Sequence, residues 1–441
     1  MTHRIVVAGA GYVGLAAAMR LARQTARQDV SITLINAAPT FVERVRLHQL
    51  VAGTGTVERP LADILDGTGI QLRVGTITGF DRGVVRLVRK ETIGDEMGFA
   101  GTVSDETIRK QVIRKQAIRN ETISEEPIRD ETESGENVSY DTLVYALGSG
   151  TGRVGVPGVA EHAYTVDGLV AANTLLAAIP GARRLVVCGG GLTGVEAATE
   201  LAETYPGLSV TLVTRGELAY SVSPRGREHI RRVFDRLGID VLEHTAVTAV
   251  TPTAVELASG RSLPADVTLW CGPFGVPGYA AEAGLATDAA GRALVDETLR
   301  SVSHPNVYPV GDVAGVAMPW GTPRMSCQAG LPMGLYAADA IAARLAGREP
   351  GPYRFRFAEQ CISLGRRDGL IQLVRADDRP TRTVLTGRSA AVVKEYVCRG
   401  AAWAARTGMP SARLLYPTAS AAGSGREWST TSRETARVST T

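Results

Sequence analysis

Two short glycine runs carry the most chemistry in this chain of 441 residues. The first reads Ile5-Val-Val-Ala-Gly9-Ala-Gly11-Tyr12-Val13-Gly14, the second Leu185-Val-Val-Cys-Gly189-Gly-Gly191-Leu-Thr193-Gly194. Each follows an apolar strand and opens an Ala-rich helix (Leu15 to Ala22; Val195 to Ala202). Glycines in such a turn let a pyrophosphate approach bare backbone, and the helix N-terminus offers N–H groups and the positive end of its dipole. One copy is weak evidence, because any tight turn before a helix looks similar. Two copies, each followed about 20 residues on by another apolar strand (Ser31 to Ile35; Ser209 to Val213), predict two dinucleotide sites. Two dinucleotides in one chain suggest hydride passing between them.

The elements that must position these turns read as an α/β protein with two Rossmann-like dinucleotide-binding domains, the second inserted in the first. The 44% hydrophobic content and 49 glycines suit that class. Residues 1–150 read as the first part of one nucleotide domain, 151–280 as the second domain and 281–348 as the return to the first. Tyr140 to Ser149 is a strand running into a tight turn, and Asn306 to Asp312 is a strand ending in Gly311-Asp312. A helix is predicted from about Gln328 to Leu345. Residues 349–417 form a small C-terminal region, and 418–441 is Ser/Thr/Gly-rich and expected to be disordered. Within 92–137, isoleucines recur every five residues from Ile108 to Ile128. That period fits neither helix nor strand, so the stretch is expected to be a repeat-expanded surface insertion. A partner-docking arm is the sharper alternative.

The net charge of +3 comes from 48 basic and 45 acidic residues, too balanced to argue for nucleic acid. No apolar h-region precedes Arg4, and no apolar run reaches the roughly 18 residues that span a bilayer. Five scattered cysteines without CxxC spacing suit a reducing cytoplasm. Neither they nor the six histidines show metal-ligand spacing, and no metal is expected.

The order of these motifs resembles the two-dinucleotide flavoprotein reductases of the pyridine nucleotide-disulfide oxidoreductase superfamily. Gly9-x-Gly11-x-x-Gly14 is similar to its FAD fingerprint, and Ala146-Leu147-Gly148-Ser149 to its Ala-Thr-Gly turn with Leu147 for Thr. Gly189 to Gly194 is similar to its NAD(P)H fingerprint, and Gly311-Asp312 to the motif that grips the flavin's ribityl side. Within the superfamily the chain most resembles type II NADH dehydrogenases, which are NAD(P)H:quinone oxidoreductases. Gly194-Val-Glu196 and the Gln328 helix start carry that likeness, while the active-site Cys pair of disulfide reductases is missing. The resemblance implies FAD in the first fold, NADPH or NADH in the second, and a quinone or other small electron acceptor.

Roles follow for individual residues. Glu196 and Gln328 are the candidate catalytic residues, the first toward the nicotinamide or protons, the second beside the isoalloxazine. For each, a plain helix-start residue is the blander reading. Asn36 stands where an acid usually binds the FAD ribose, and an amide still donates to and accepts from hydroxyls. Thr214 stands at the matching place in the second fold, and the adjacent Arg215 admits or favours the 2′-phosphate of NADPH. Glu217 is an alternative partner that would serve NADH. Arg44 and Arg46 are candidates for the FAD pyrophosphate, with a solvated helical face as the alternative.

Residues 387–409 mix Val392, Val393, Tyr396, Val397 and Trp403 with Lys394, Arg399 and Arg406. That pattern suits an amphipathic helix on a membrane surface, and equally one packed on the protein body. The expectation is a cytoplasmic enzyme, with peripheral attachment to the inner face of the membrane and a homodimer left open. Two rival readings stand beside quinone reduction: a reductase of a carrier protein of ferredoxin or rubredoxin type, and a nucleotide-sensing flavoprotein without efficient turnover. Sulfide:quinone reduction fits less well, since it needs a suitably placed cysteine pair.

Overall fold

The computed structural model describes residues 1–90, 133–152 and 155–409. Most of the pentad segment and the tail expected to be disordered lie outside the described residues.

The first glycine turn joins β1 (His3–Ala8) to α1 (Tyr12–Gln24), and β2 (Val30–Asn36) and β3 (Gln71–Val74) follow. After β4 (Thr142–Tyr145) the chain builds a second sheet. There the second glycine turn joins β5 (Arg184–Cys188) to α2 (Leu192–Thr204), followed by β6 (Ser209–Val213), β7 (Asp240–Leu242) and β8 (Val267–Trp270). The chain then returns with β9 (Val307–Pro309), which pairs parallel with β4. The first sheet therefore runs β9-β4-β1-β2-β3 and the second β7-β6-β5-β8, all parallel. Parallel strands need crossovers on the sheet faces, so both faces are covered and the strands read as near-continuous apolar runs. Ile5, Val6, Val7, Val186 and Val187 are accordingly buried.

The long helix α3 (Cys327–Leu345) packs on α1. Glycine sets their distance: a Cβ on Gly334 would lie 2.4 Å from the Val13 carbonyl oxygen. Beyond it, β10 (Glu359–Ser363), β11 (Gly369–Val374) and β12 (Pro380–Thr386) form an antiparallel sheet that leads into α4 (Gly387–Thr407). This region joins the two nucleotide folds. Ile362, Leu364 and Leu370 enter the core of the second, while Ala402, Ala404 and Ala405 enter the core around α1. Each fully buried Leu or Ile contributes roughly 1.5–3 kcal/mol.

The structure departs from the sequence expectation at one end of the predicted insertion. Glu133–Ser139 is a strand, paired antiparallel with Val84–Lys90. Its polar residues hide the strand from an apolar pattern, because backbone pairing at a sheet edge requires little side-chain burial. Among the described residues no helix is long and apolar enough to cross a membrane.

Candidate functional site

The two glycine turns open onto one cleft of about 2720 Å³. A pocket for one drug-sized ligand holds about 300–1,000 Å³, so this cleft has room for more than one. The turns are built alike. Gly9 has φ +103° and Gly189 has φ +133°, conformations that an L side chain rarely adopts. A Cβ on Gly9 would lie 2.6 Å from the Ala146 carbonyl oxygen, and one on Gly189 would lie 2.3 Å from that of Cys271. By contrast, a Cβ on Gly11 or Gly191 would meet nothing within 4 Å among the described residues. The tight positions lock each turn against its neighbouring strand; the open ones leave space at the helix start. Among the described residues no side chain caps α1 or α2, whereas Ser326 caps α3. Free helix N-termini facing a cleft suit pyrophosphates, so the residues present fit two dinucleotides.

Around the first turn, Tyr12, Val13, Ala146, Gly148 and Gly311 line the cleft, while Gly14 lies behind it against Gly9. Asp312 also lines it and accepts a hydrogen bond from the Ser149 hydroxyl at 2.6 Å. Asn36 is more committed than its sequence position suggests. Its Oδ1 accepts from the Ala10 N–H at 3.0 Å, and its Nδ2 donates to the carbonyls of Ala38 at 2.8 Å and Thr40 at 3.4 Å. The amide thus fastens the glycine turn, and only a second lone pair on Oδ1 is left for a hydroxyl. Arg44 lines the cleft. Arg46 does not: its guanidinium is bound by Glu43 at 2.9 Å and by Glu395 of α4 at 2.8 Å.

Around the second turn, Gly189, Gly191, Thr193, Thr214 and Arg215 line the cleft. Gly194 sits behind, where a Cβ would lie 2.0 Å from the Gly189 carbonyl oxygen. Thr214 packs on Gly190, and the next residue, Arg215, is exposed. Glu217 is ion-paired with Arg227.

Glu196 faces the same cleft from the second turn of α2, one turn further in than a helix-start residue. Its Oε1 accepts from the Lys394 ammonium and, at 2.9 Å, from the Ser363 backbone N–H. Burial pushes the Glu196 carboxyl up, but Lys394 and the Ser363 N–H outweigh it and hold it below the usual Glu value. Burial likewise pushes Lys394 down, and Glu196 more than restores it. The pair is therefore charged on both sides, in a largely buried wall. Lys394 also donates to the Cys361 carbonyl at 2.9 Å. His48 lines the cleft nearby, and burial drives its imidazole down to about 4, so it is neutral. Gln328 lines the cleft too, its Oε1 accepting from Arg324 at 3.3 Å.

Sequence reasoning did not foresee Lys394 as a cleft residue, although a signal existed. The basic residues are overwhelmingly arginine, and every lysine other than Lys394 falls between 90 and 115. Nor did it foresee that Cys327, Cys361 and Cys398 converge on the cleft wall. Burial pushes the Cys327 and Cys361 thiols up to about 12, which keeps them protonated and poor nucleophiles.

Residues 3–334 match the family described as pyridine nucleotide-disulphide oxidoreductase. An NADH dehydrogenase-like protein of Mycobacterium tuberculosis is 28% identical over 366 residues, covering 76% of this chain and 78% of that protein. Among solved structures, NDH2 from Plasmodium falciparum in complex with NADH superposes with a TM-score of 0.71, at 14% identity over 92% of this chain and 97% of the other. The sulfide:quinone oxidoreductase of Aquifex aeolicus gives a TM-score of 0.68, at 21% identity over 93% of each chain. The chain belongs to the pyridine nucleotide-disulphide oxidoreductase family and is an NAD(P)H-dependent flavoprotein oxidoreductase with FAD as its second cofactor.

Proposed function

We propose that this oxidoreductase passes electrons from NAD(P)H, through FAD, to a quinone-type acceptor. The observation that carries the reading is the charged Glu196–Lys394 pair set in the wall of a cleft that apolar side chains of α4 also line. Val397 and Trp403 of α4 line that cleft while remaining 41% and 48% exposed. A quinone is an apolar ring whose two carbonyl oxygens must each gain a proton as the ring gains two electrons. Val397 and Trp403 suit the ring, and the pair suits the oxygens.

FAD, when bound, takes hydride from the nicotinamide and releases electrons to an acceptor. The chain's own residues do the rest. The uncapped starts of α1 and α2 hold the pyrophosphates, with the Ser149–Asp312 pair and Arg44 along the FAD side. Gln328, steadied by Arg324, orients a ring through its amide. Lys394 donates a hydrogen bond to an oxygen that is gaining negative charge, then its proton, and Glu196 steadies the ammonium until transfer. Neutral His48 and the protonated thiols add no charge that would compete. Arg215, free of any ion pair among the described residues, meets a 2′-phosphate, which favours NADPH.

In this reading residues 151–280 form the nucleotide domain inserted between the two parts of the FAD domain. The outer face of α4, with Val392 55% and Tyr396 70% exposed, lies on a membrane surface from which the quinone enters. Steady-state turnover tests the acceptor directly. Menadione should be reduced faster than a small iron–sulfur carrier protein. Preference for the carrier would move the assignment to the reductases of such proteins.

A further inference from the structure

Reduction of a quinone by NAD(P)H consumes one proton from water. The nucleotide supplies two electrons and one proton as hydride, and the hydroquinone holds two protons. Lys394 and Glu196, with side chains 12% and 15% exposed, therefore need a route to solvent.

The face of α2 that carries Glu196 also carries Glu200 and Glu203, one and two turns further along. Residues four apart on a helix are neighbours, with Cβ atoms about 6 Å apart. Glu200 is fully buried, at 0% exposure. Its Oε1 accepts from the Thr54 hydroxyl at 2.8 Å and from the Arg366 Nε at 2.7 Å. Its Oε2 is buried and has no hydrogen-bond partner among the described residues. A carboxylate kept only to anchor the fold would have both oxygens satisfied, because an orphaned one costs stability. A proton carrier needs an oxygen left open.

Neighbouring groups join Glu200 to the site. Arg366 donates to the Ser363 hydroxyl at 2.9 Å, and the Ser363 N–H holds Glu196. His48 comes from the short helix Leu47–Val51, which packs on α2. Its Nε2 is also buried without a partner among the described residues, and Glu196, Lys394 and Arg366 all act on its charge. Toward solvent, Glu203 accepts from the Arg366 N–H. Burial pushes Glu200 up, and Arg366 and Thr54 offset this only in part while Glu203 adds to it.

From the two orphaned atoms and their shared neighbours we infer that Glu200, acting with His48, is the proton inlet of the site and recharges the Glu196–Lys394 pair from solvent. The steps are proton transfers alone. An O–H forms on Glu200 at the expense of water. One His48 nitrogen takes that proton as the other releases one to Glu196. No electrons move.

This inference rests on the quinone reading, and its test separates the two. Ferricyanide accepts an electron and needs no proton. In the full-length, flavin-loaded protein, Glu200→Gln should slow turnover with menadione about a hundredfold, the low end for a catalytic proton transfer, while changing ferricyanide turnover far less. Infrared difference titration of the same protein should show a carboxylic acid that deprotonates above the usual Glu range and vanishes in E200Q. Thr54→Val, which removes one hydrogen bond from Glu200, should shift that titration without abolishing it. Equal losses with both acceptors, or no such carboxylic acid, would overturn the inference. Wild-type protein inert toward menadione would defeat the quinone reading, and the infrared titration would still decide whether Glu200 takes up a proton.

Discussion

In the first nucleotide fold a Cβ on Gly14 would lie 1.9 Å from the Gly9 carbonyl oxygen; in the second, a Cβ on Gly194 would lie 2.0 Å from that of Gly189. The two turns are the same object, and the helices behind them are not. In α1 the residues after the turn are Leu15, Ala16, Ala17 and Ala18, all fully buried against α3 and the first sheet. In α2 the face toward the cleft and the C-terminal region carries Glu196, Glu200 and Glu203. The strands' far ends differ as well. Asn36 ties its own turn together, while Thr214 merely packs on Gly190 and leaves Arg215 outside. Backbone sterics fix the turn, and the side chains on the helix decide whether a nucleotide fold only binds or also handles charge.

The largest predicted effect tests the likeness of the turns. Gly14→Ala and Gly194→Ala each force a Cβ into a backbone carbonyl, costing about 3 kcal/mol, or about a hundredfold in ligand affinity. The ligand lost should differ. G14A should purify without flavin, whereas G194A should keep its flavin spectrum and lose binding of the pyridine nucleotide, measured by fluorescence titration. Both variants losing the same cofactor would break the assignment of one cofactor to each fold.

The charged face of the second fold should be costly to disturb. Lys394→Met leaves Glu196 buried and unpaired, which costs about 3–5 kcal/mol of unfolding free energy in urea. No matching cost should follow from Arg4→Met, since the Arg4–Asp141 pair in the first fold is solvent-exposed.

His48 gives a smaller effect that depends on pH. Its folded pKa is about 4 and its ordinary value 6.5. The unfolded chain therefore binds the proton first, and stability falls as pH drops from 6.5 toward 4. The full loss is about 3 kcal/mol. Urea unfolding of His48→Gln should lack that part of the acid sensitivity. An unchanged acid limb would show that His48 is not held neutral.

Two substitutions probe the strand ends. Arg215→Glu should move the ratio of kcat/KM for NADPH over NADH down by about tenfold, the worth of one exposed phosphate contact. A ratio that does not move would place the 2′-phosphate elsewhere. Asn36→Asp installs the acid more usual at this position, yet here it should destabilise by about 1 kcal/mol. A carboxylate cannot donate to the Ala38 and Thr40 carbonyls and would face them unpaired. A gain in stability or in flavin affinity would show that those bonds do not matter.

What the sequence made legible was local. The glycine runs, Gly311-Asp312 and the Gln328 helix each span only a few residues, and the steric reasons for them are written in adjacent letters. What stayed hidden depends on distant partners. Glu196 read as a catalytic candidate, but nothing near it in sequence announces Lys394, 198 residues away. Arg46 read as a pyrophosphate ligand because Glu395, which binds it, lies on the last helix. The amphipathic pattern of 387–409 was readable, but not that one side would close the cleft while the next stayed exposed. The buried face uses Ala390, Cys398, Ala402 and Ala405, residues too small to announce themselves.

Hydride delivered by the second fold should leave the shared cleft as electrons passed to a quinone. Flavin-loaded protein mixed anaerobically with NADPH tests it most directly, with menadione added once the spectrum settles. The oxidised flavin bands should bleach with NADPH and return on adding menadione. Bands that bleach with neither NADPH nor NADH, or that stay bleached after menadione, would contradict it.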